Sequence, residues 1–291
     1  MKTTIKNIFG KVSFIFALSS FLFISCSQNE VFEQEITKET PLAIASAGVD
    51  DLTTRAIING QLEGTPDANA TLSVFVTDGS DDKYNAENVK WTHNTIKWYA
   101  ESPTLYEGAN SNQKICALSP YVENATADGV NITADGVSDY LIATSKLVTS
   151  NNVSLTMRHA LAKLRLKPTF GTEAGGLDIA SVEVKNMYAS GTLNIKEDTW
   201  TGLSEATATL AMTNHEVLVI PIEVCESFPI VITMNDGRVF KATISLAAVD
   251  NELKSNSQYN IRLQIGQDKV FVGDITAAPW VAENGGNLET E

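Results

Sequence analysis

The chain has few of the residues on which most enzymes depend. Its 291 residues include three histidines and three cysteines. None of the spacings HExxH, CxxC, GxSxG or the phosphate-binding loop occurs, so the common zinc, serine-hydrolase and nucleotide sites are not indicated. The histidines, His93, His159 and His215, fall in separate segments, and a lone histidine without a spaced partner has no mechanism to run. The sequence therefore predicts no catalytic residue, no metal site and no enzyme, with His159 as a buried structural residue.

Basic residues are also scarce. The chain has 21 Lys and Arg against 35 Asp and Glu, a net charge of −14. An acidic chain is repelled by nucleic acid and by anionic membrane surfaces, so neither is expected as a partner. Hydrophobic residues nevertheless make up 43% of the sequence, enough to form a core.

Cysteines are too few for a disulfide scaffold. Cys116 and Cys225 lie far apart, each in an apolar, strand-like stretch. Two buried free thiols are favoured over a disulfide, although the pairing stays an alternative.

The third cysteine, Cys26, follows a segment typical of export. Residues 1–11 contain three lysines and no acid, and residues 12–24 read VSFIFALSSFLFI, too short to span a bilayer comfortably. Ser25 and Cys26 resemble the lipobox of bacterial lipoproteins, which implies a signal peptide over 1–25 and a diacylglyceryl group and an acyl chain such as palmitate on Cys26. Two or more chains suffice for stable anchoring. A chance cysteine after an ordinary secretory signal is the alternative.

Period-two alternation of apolar residues dominates the rest of the chain. It is clearest in Thr71–Thr77, Val153–Met157 and Gln258–Ile265. Further candidate strands are Ser181–Met187, Glu216–Ile222, Pro229–Met234, Arg238–Leu246 and Lys269–Ile275. Asp-Gly and Gly-Gly turns recur between them, and the pentapeptide TADGV, at 126–130 and 133–137, is read as two turns on an exposed excursion. The pattern predicts an all-β chain of antiparallel β-sandwiches.

One break in the alternation suggests a domain boundary. The apolar set occupies odd positions up to Leu161 and even positions from Ala162. Because a strand cannot change faces without a bulge or bend, residues 158–162 are read as the passage from one sandwich to the next. The expected domains are 56–158 and 159–291, preceded by a spacer and one removable strand within 26–55.

Two further features have ordinary explanations. The acidic loop 78–82 could hold calcium, but it lacks EF-hand spacing and is better read as a solvated turn. Trp91 and Trp98 could form a sugar-stacking platform, but core packing is favoured.

Several segments together resemble the fimbrillin family, the Mfa-like and FimA-like subunits of type V pili. The matching residues are the signal ending at Cys26; 53–56 (TTRA); Trp98 before the strand 115–121; 139–143 (DYLIA); 153–164 (VSLTMRHALAKL); and Ile275 with Trp280. The resemblance covers nearly the whole mature chain. It implies two β-sandwiches with Greek-key-like connections and a lipid-anchored place on the cell outer membrane.

The resemblance also implies a route of assembly. An arginine-specific protease would cut between Arg55 and Ala56, and the N-terminal strand would leave with the lipid. A strand from another fimbrial subunit would then fill the groove. The donor candidate is 269–280, with Val270, Phe271, Val272, Ile275 and Trp280 as contact residues. Two alternatives remain open: 269–275 completes its own domain, and the Thr-Arg-Ala run is an uncut linker.

Two classes of function follow. The first is a structural fimbrial subunit that contributes to adhesion. The second is a monomeric surface lipoprotein or tip adhesin that binds a glycan or a host protein. No cofactor is expected beyond the covalent lipid on Cys26.

Overall fold

Strands account for nearly all the regular structure of the chain. The computed structural model describes residues 40–49, 57–58, 61–62, 69–94, 96–101, 104, 112–172 and 176–280. Contacts divide the chain after Thr40, and the unit that begins at Pro41 holds every strand described. The expectations for 1–25, Cys26, Arg55, Ala56 and the tail after 280 lie outside the described residues.

Twenty strands follow one another along the described chain. The first ten are β1 Ala43–Val49, β2 Ile57–Ile58, β3 Gln61–Leu62, β4 Thr71–Thr77, β5 Ala86–His93, β6 Trp98–Ala100, β7 Lys114–Ser119, β8 Val130–Thr133, β9 Leu141–Leu147 and β10 Asn152–His159. The second ten are β11 Ala162–Phe170, β12 Ile179–Tyr188, β13 Ser190–Asn194, β14 Thr199–Thr201, β15 Thr207–Ala211, β16 Glu216–Val219, β17 Ser227–Met234, β18 Val239–Ser245, β19 Ser257–Ile265 and β20 Val270–Pro279. Two short 3-10 helices, Asp82–Tyr84 and Ala247–Val249, complete the description.

A curled seven-stranded sheet forms the first part of the fold. Its order is β1-β10-β9-β7-β4-β5-β6, and β1 also lies against β6, so the two edges approach each other. One face encloses a core that includes Leu72, Trp91, Trp98 and Leu155. The other face packs on a three-stranded sheet, β14-β13-β8, through a second apolar cluster. Both tryptophans are therefore core residues, as predicted, because the turn at 94–97 places them on different strands of one hairpin.

Two four-stranded sheets form the second part. Their orders are β16-β11-β19-β20 and β15-β12-β17-β18. Alternate residues of both sheets, among them Leu164, Val184, Ile230 and Tyr259, enclose the largest apolar cluster. The fold class is confirmed as all-β with sandwich-like packing. Two pairings, β1 with β10 and β11 with β19, are parallel, so the sheets are mixed rather than purely antiparallel.

The chain passes between the two parts at residues 160–161. Here β10 ends and β11 begins in a different sheet, and the buried set changes from Leu155 and Met157 to Ala162 and Leu164. The predicted change of face is confirmed. The division into 56–158 and 159–291 stays a prediction, and β8 of the first half pairs with β13 of the second.

One turn assignment was wrong. The two TADGV repeats do not form an exposed excursion, because β8 runs from the last residue of the first repeat to the first residue of the second and buries Val130 and Ile132 against Leu193. The Asp-Gly sequences were correctly predicted as turns, but the alternating segment VNIT between them was not predicted as a strand. β16 is also shorter than predicted, ending at Val219 before Pro221.

Candidate functional site

The N-terminal edge strand, β1, lies in the position expected for a removable segment. It pairs in parallel with β10, from Ala43 beside Asn152 to Val49 beside Met157. The register shifts between Ile44 and Ser46, which marks a bulge. The predicted strand within 26–55 is confirmed, whereas its removal stays a prediction.

Three side chains hold this segment to the first core. Leu42, Ile44 and Ala47 are buried, at spacings of two and three residues. They pack in the same cluster as Val153 and Leu155 of β10. We call the space that these three residues occupy, between β10 and β6, the β1 groove. Because its walls are apolar, the groove needs a strand of alternating apolar residues to close it.

The C-terminal edge strand, β20, is anchored differently. It pairs antiparallel with β19 at the edge of its sheet, from Val270 beside Ile265 to Pro279 beside Ser257. Within the strand only Ile275 is buried, while Phe271 is 50% exposed and Val272 is at the surface. The donor candidates therefore lie together on one edge strand, which in this structure completes its own sheet.

A bulge gives three apolar residues of β20 the same spacing as the three buried residues of the β1 segment. The register shifts opposite Arg262, where Gly273 and Asp274 face a single residue. A Cβ at Gly273 would lie 3.3 Å from the Arg262 Cβ, a tight approach that favours glycine. As a result Val270, Val272 and Ile275 oppose the buried Ile265, Leu263 and Ile261 at spacings of two and three residues.

Trp280, directly after this strand, lies in a buried polar cluster. Its ring stacks on His159 with centroids 3.5 Å apart and 5° between the planes. Nδ1 of His159 lies 2.7 Å from Oδ2 of Asp139, and the Trp280 amide donates to the Asn256 carbonyl at 2.9 Å. His159 is thus a buried structural residue at the passage between the two parts, as predicted.

A second polar link lies beside the first. Asp198, in the β13–β14 turn, accepts from Arg158 Nη2 at 2.9 Å and from Ser255 Oγ at 3.1 Å. Burial raises the pKa of Asp198, while Arg158 acts in the opposite direction. The carboxylate thus connects β10, the partner of β1, with the turn before β19, the partner of β20.

A cavity beside Trp280 was missed by sequence reasoning. Its volume is about 230 Å³ and its lining includes Gly136, Val137, Lys163, Thr213, Asn214, Glu216, Val217, Leu218 and Trp280. We call it the Trp280 cavity. It draws on four separate segments, so no local motif could have indicated it.

Other predicted features have simple structural places. Cys116 and Cys225 are free thiols, and burial raises the pKa of Cys116 to about 12, which keeps it unreactive. In the loop after β4, Asp78 pairs with Lys114 at 2.9 Å. Within the described part of the chain, no group of three or more His, Cys, Asp or Glu could hold a metal ion. Nor does that part contain a helix long and apolar enough to cross a membrane.

Comparison with known proteins gives a consistent result. The sequence profile of the fimbrillin-like family matches residues 54–280. Among curated proteins, none matches the chain. The solved structure of a candidate cell adhesion protein from Bacteroides uniformis ATCC 8492 is similar, with a TM-score of 0.64 and 18% identity, covering 83% of this chain and 99% of that one.

A second solved structure is similar to this chain to nearly the same degree. It is a candidate cell adhesion protein from Bacteroides ovatus ATCC 8483, with a TM-score of 0.63 and 13% identity, covering 84% of this chain and 99% of that one. At these identities the two structures establish similarity of fold.

Proposed function

This chain belongs to the fimbrillin-like family, and from that premise we propose that it is a structural subunit of surface fimbriae, assembled by strand exchange. Family membership supports a fimbrial, cell-surface and non-enzymatic role. The observation that carries the finer proposal is β1, an edge strand whose three buried side chains close an apolar groove. Association with other fimbrial subunits follows from the same premise.

Export as a lipoprotein places the subunit at the outer membrane. The basic start, the short apolar run and Cys26 support removal of residues 1–25 and lipid attachment at Cys26. Because β1 follows Cys26 by fewer than twenty residues, the lipid and this strand belong to one short segment. The precursor would thus arrive at the surface tethered by the segment that closes its own groove.

Cleavage between Arg55 and Ala56 by an arginine-specific protease would detach this segment. Arg55 lies after β1 and before every other strand, so a cut there leaves β1 held only by its pairing and packing. The two large apolar side chains, Leu42 and Ile44, contribute about 1.5–3 kcal/mol each. Such a hold is weak once the covalent link is lost, and the departing strand would leave the β1 groove open.

The C-terminal strand of a second copy is the proposed replacement. β20 places Val270, Val272 and Ile275 opposite buried residues of β19, at the spacing of Leu42, Ile44 and Ala47, with Ile275 the one of the three that is itself buried. Both strands are bulged after the second position. If Val272 takes the place of Ile44, then Phe271 takes that of Ala43 and lies beside Asn152 of the receiving copy. Trp280 would leave its own stack and become the last anchor of the donated strand.

Substitution of Arg55 tests the cleavage. Arg55→Ala and Arg55→Lys should both leave the full lipidated precursor and abolish polymers, because an arginine-specific protease accepts neither residue. Lys38→Ala, a change in the same segment, should mature normally. Intact mass and N-terminal sequencing of the surface form provide the measurement. Mature-length protein starting at Ala56 from either Arg55 variant would contradict the cleavage site.

A disulfide between copies tests the donor. In a Cys225→Ser background, Asn152→Cys with Phe271→Cys should give a ladder of cross-linked oligomers after protease treatment. Both positions are exposed, so the substitutions spare the cores. Thr156→Cys with Phe271→Cys is the matched control, because Thr156 pairs with Gly48, five residues beyond Ala43. Equal ladders from both pairs, or none from the first, would contradict the proposed register.

A tip adhesin or monomeric surface lipoprotein is the second candidate. The Trp280 cavity favours it, because a lined cavity on a surface protein offers a place for a ligand from a host or another bacterium. Polymer formation separates the two candidates: a monomer after protease treatment that still binds a ligand would support the second.

A further inference from the structure

The Trp280 cavity combines an aromatic wall, hydrogen-bonding groups and an excess of positive charge. We propose that it binds a single acidic sugar residue, a pyranose that carries a carboxylate. This goes beyond the fimbrial role, because it assigns a ligand class to a site in the folded subunit. It applies to the folded subunit before strand exchange, in which Trp280 still lines the cavity.

The charge at the cavity favours an anion. Lys163 Nζ lies 2.6 Å from Oε2 of Glu216, and Arg165 bonds to the other oxygen of the same carboxylate. Two cations therefore share one acid, so these three side chains carry one positive charge in excess, in a chain of net charge −14. The acid behind Trp280, Asp139, is paired with His159.

The surroundings extend this local excess. Lys167 follows Arg165 at the next outward position of β11, and Arg262 is exposed on the neighbouring β19. Of the nearby acids, Asp135 is engaged by its own turn, where it accepts from the amides of Val137 and Ser138 at 2.9 and 2.7 Å. Asp274, in the bulge opposite Arg262, is the acid on the far strand. A carboxylate entering at Lys163 would thus meet a basic row.

The neutral lining suits a sugar ring. Trp280 is the aromatic member of the lining. One face of its ring is stacked on His159, and Lys163 Nζ lies 5.4 Å from the ring centroid, so the C–H groups of a pyranose would pack on the part of the ring that these two side chains leave open. Asn214 and His215 both have positive φ, at 51° and 64°, in the turn that joins β15 to β16. This turn places the exposed Asn214 in the lining. A ligand hydroxyl can therefore use its amide.

The size of the cavity limits the ligand to one ring. At about 230 Å³ it is smaller than the roughly 300–1,000 Å³ typical of sites for drug-sized molecules. An extended acidic peptide would need a longer groove, so an acidic saccharide fits the observations better than an acidic protein segment.

Titration of the purified full-length chain with sodium glucuronate tests the proposal. We expect one of the four tryptophan indole N–H resonances to shift saturably, with a Kd of about 1 mM. Glucose, which lacks the charge, and acetate, which lacks the ring, should each bind at least about tenfold more weakly. Lys163→Gln should weaken glucuronate binding about tenfold.

Asn214→Gly should weaken binding about threefold to tenfold without strain, because glycine accepts the positive φ of this turn. Lys241→Gln, an exposed change on β18 outside the cavity, should bind as the unchanged chain does. If Lys163→Gln fails to fold, the proposal is still tested by Asn214→Gly and by the comparison of glucuronate with glucose and acetate.

Four results would overturn the proposal. They are no saturable shift with glucuronate, acetate binding as tightly as glucuronate, both cavity variants binding like Lys241→Gln, and tighter binding of a tetraglutamate peptide. The last result would assign the cavity to an acidic protein partner.

Discussion

The two edge strands, β1 and β20, present similar spacings but are held in different ways. β1 has its hold spread over three buried side chains along the segment, Leu42, Ile44 and Ala47. β20 has one buried residue in its length, Ile275, and a second anchor at its end, Trp280. A strand held along its length must be released by cutting the chain beside it. A strand held at one end can peel away once that end is freed.

The largest expected effect is at the end anchor of β20. Trp280→Ala should lower the free energy of unfolding by about 3–5 kcal/mol, because it removes a large buried ring and leaves a cavity beside His159. Urea denaturation measures the loss. Hydrogen exchange of the β20 amides should rise with it, while the amides of β10 stay protected. Equal loss of protection in both strands would contradict a hold concentrated at one end.

Ile44→Ala should have the next largest effect. Removing a buried residue of the β1 groove should cost about 2–4 kcal/mol in the uncleaved chain. Ser46→Ala, an exposed change in the same strand, should stay within about 0.5 kcal/mol and serves as control. After a cut at Arg55, the Ile44 variant should release its N-terminal segment faster than the unchanged chain does. Equal release rates, followed by mass spectrometry, would count against β1 as the holding strand.

A smaller effect should appear as a pH dependence at Asp198. Burial raises the pKa of this carboxyl above the value of 3.8 in an unfolded chain, so the folded state keeps its proton to higher pH. The contribution of the protonated Asp198 to the free energy of unfolding is therefore complete at low pH and is lost as pH rises through the pKa of the folded state. The stability of the unchanged chain relative to Asp198→Asn should fall over that range. A difference that is flat or rises with pH in denaturation curves would contradict the burial argument.

Phe271→Ala should have the smallest effect of the series. The side chain is half exposed and lies on the outward face of β20, so the free energy of unfolding should change by no more than about 0.5 kcal/mol. Measured beside Trp280→Ala, it sharpens the contrast between the middle of the strand and its end. A loss comparable to that of Trp280→Ala would show that the middle of β20 is also an anchor.

Local patterns predicted the strands well and their partners poorly. Alternation of apolar residues located β4 at Thr71–Thr77 and the change of face at 160–161, because such a pattern is set by neighbouring residues. In β4 both faces are buried. The parallel pairing of β1 with β10 has no such local signature, since it joins residues about a hundred positions apart. The short β8 was overlooked because its two flanking Asp-Gly turns dominated the pattern.

The candidate site divides in the same way. Strict alternation along 269–277 puts Val270 and Val272 on the opposite face from Ile275, and the bulge at Gly273 and Asp274 that aligns them could not be predicted from that pattern. The core role of His159 followed from its apolar row. The Trp280 cavity could not be recognised, because Lys163, Asn214 and Glu216 become its lining only when β11, the β15–β16 turn and the end of β20 meet.

The parallel ladder between β11 and β19 bears on how a filament would carry load. Eight residue pairs, from Lys163 beside Gln258 to Phe170 beside Ile265, run in one direction without a register shift. In a strand-exchanged filament, tension would enter at the start of β11 and leave at the end of β19, which are opposite ends of this ladder. Its hydrogen bonds would then be loaded in shear and would have to break together rather than one at a time, so the pair of strands would resist a larger pulling force.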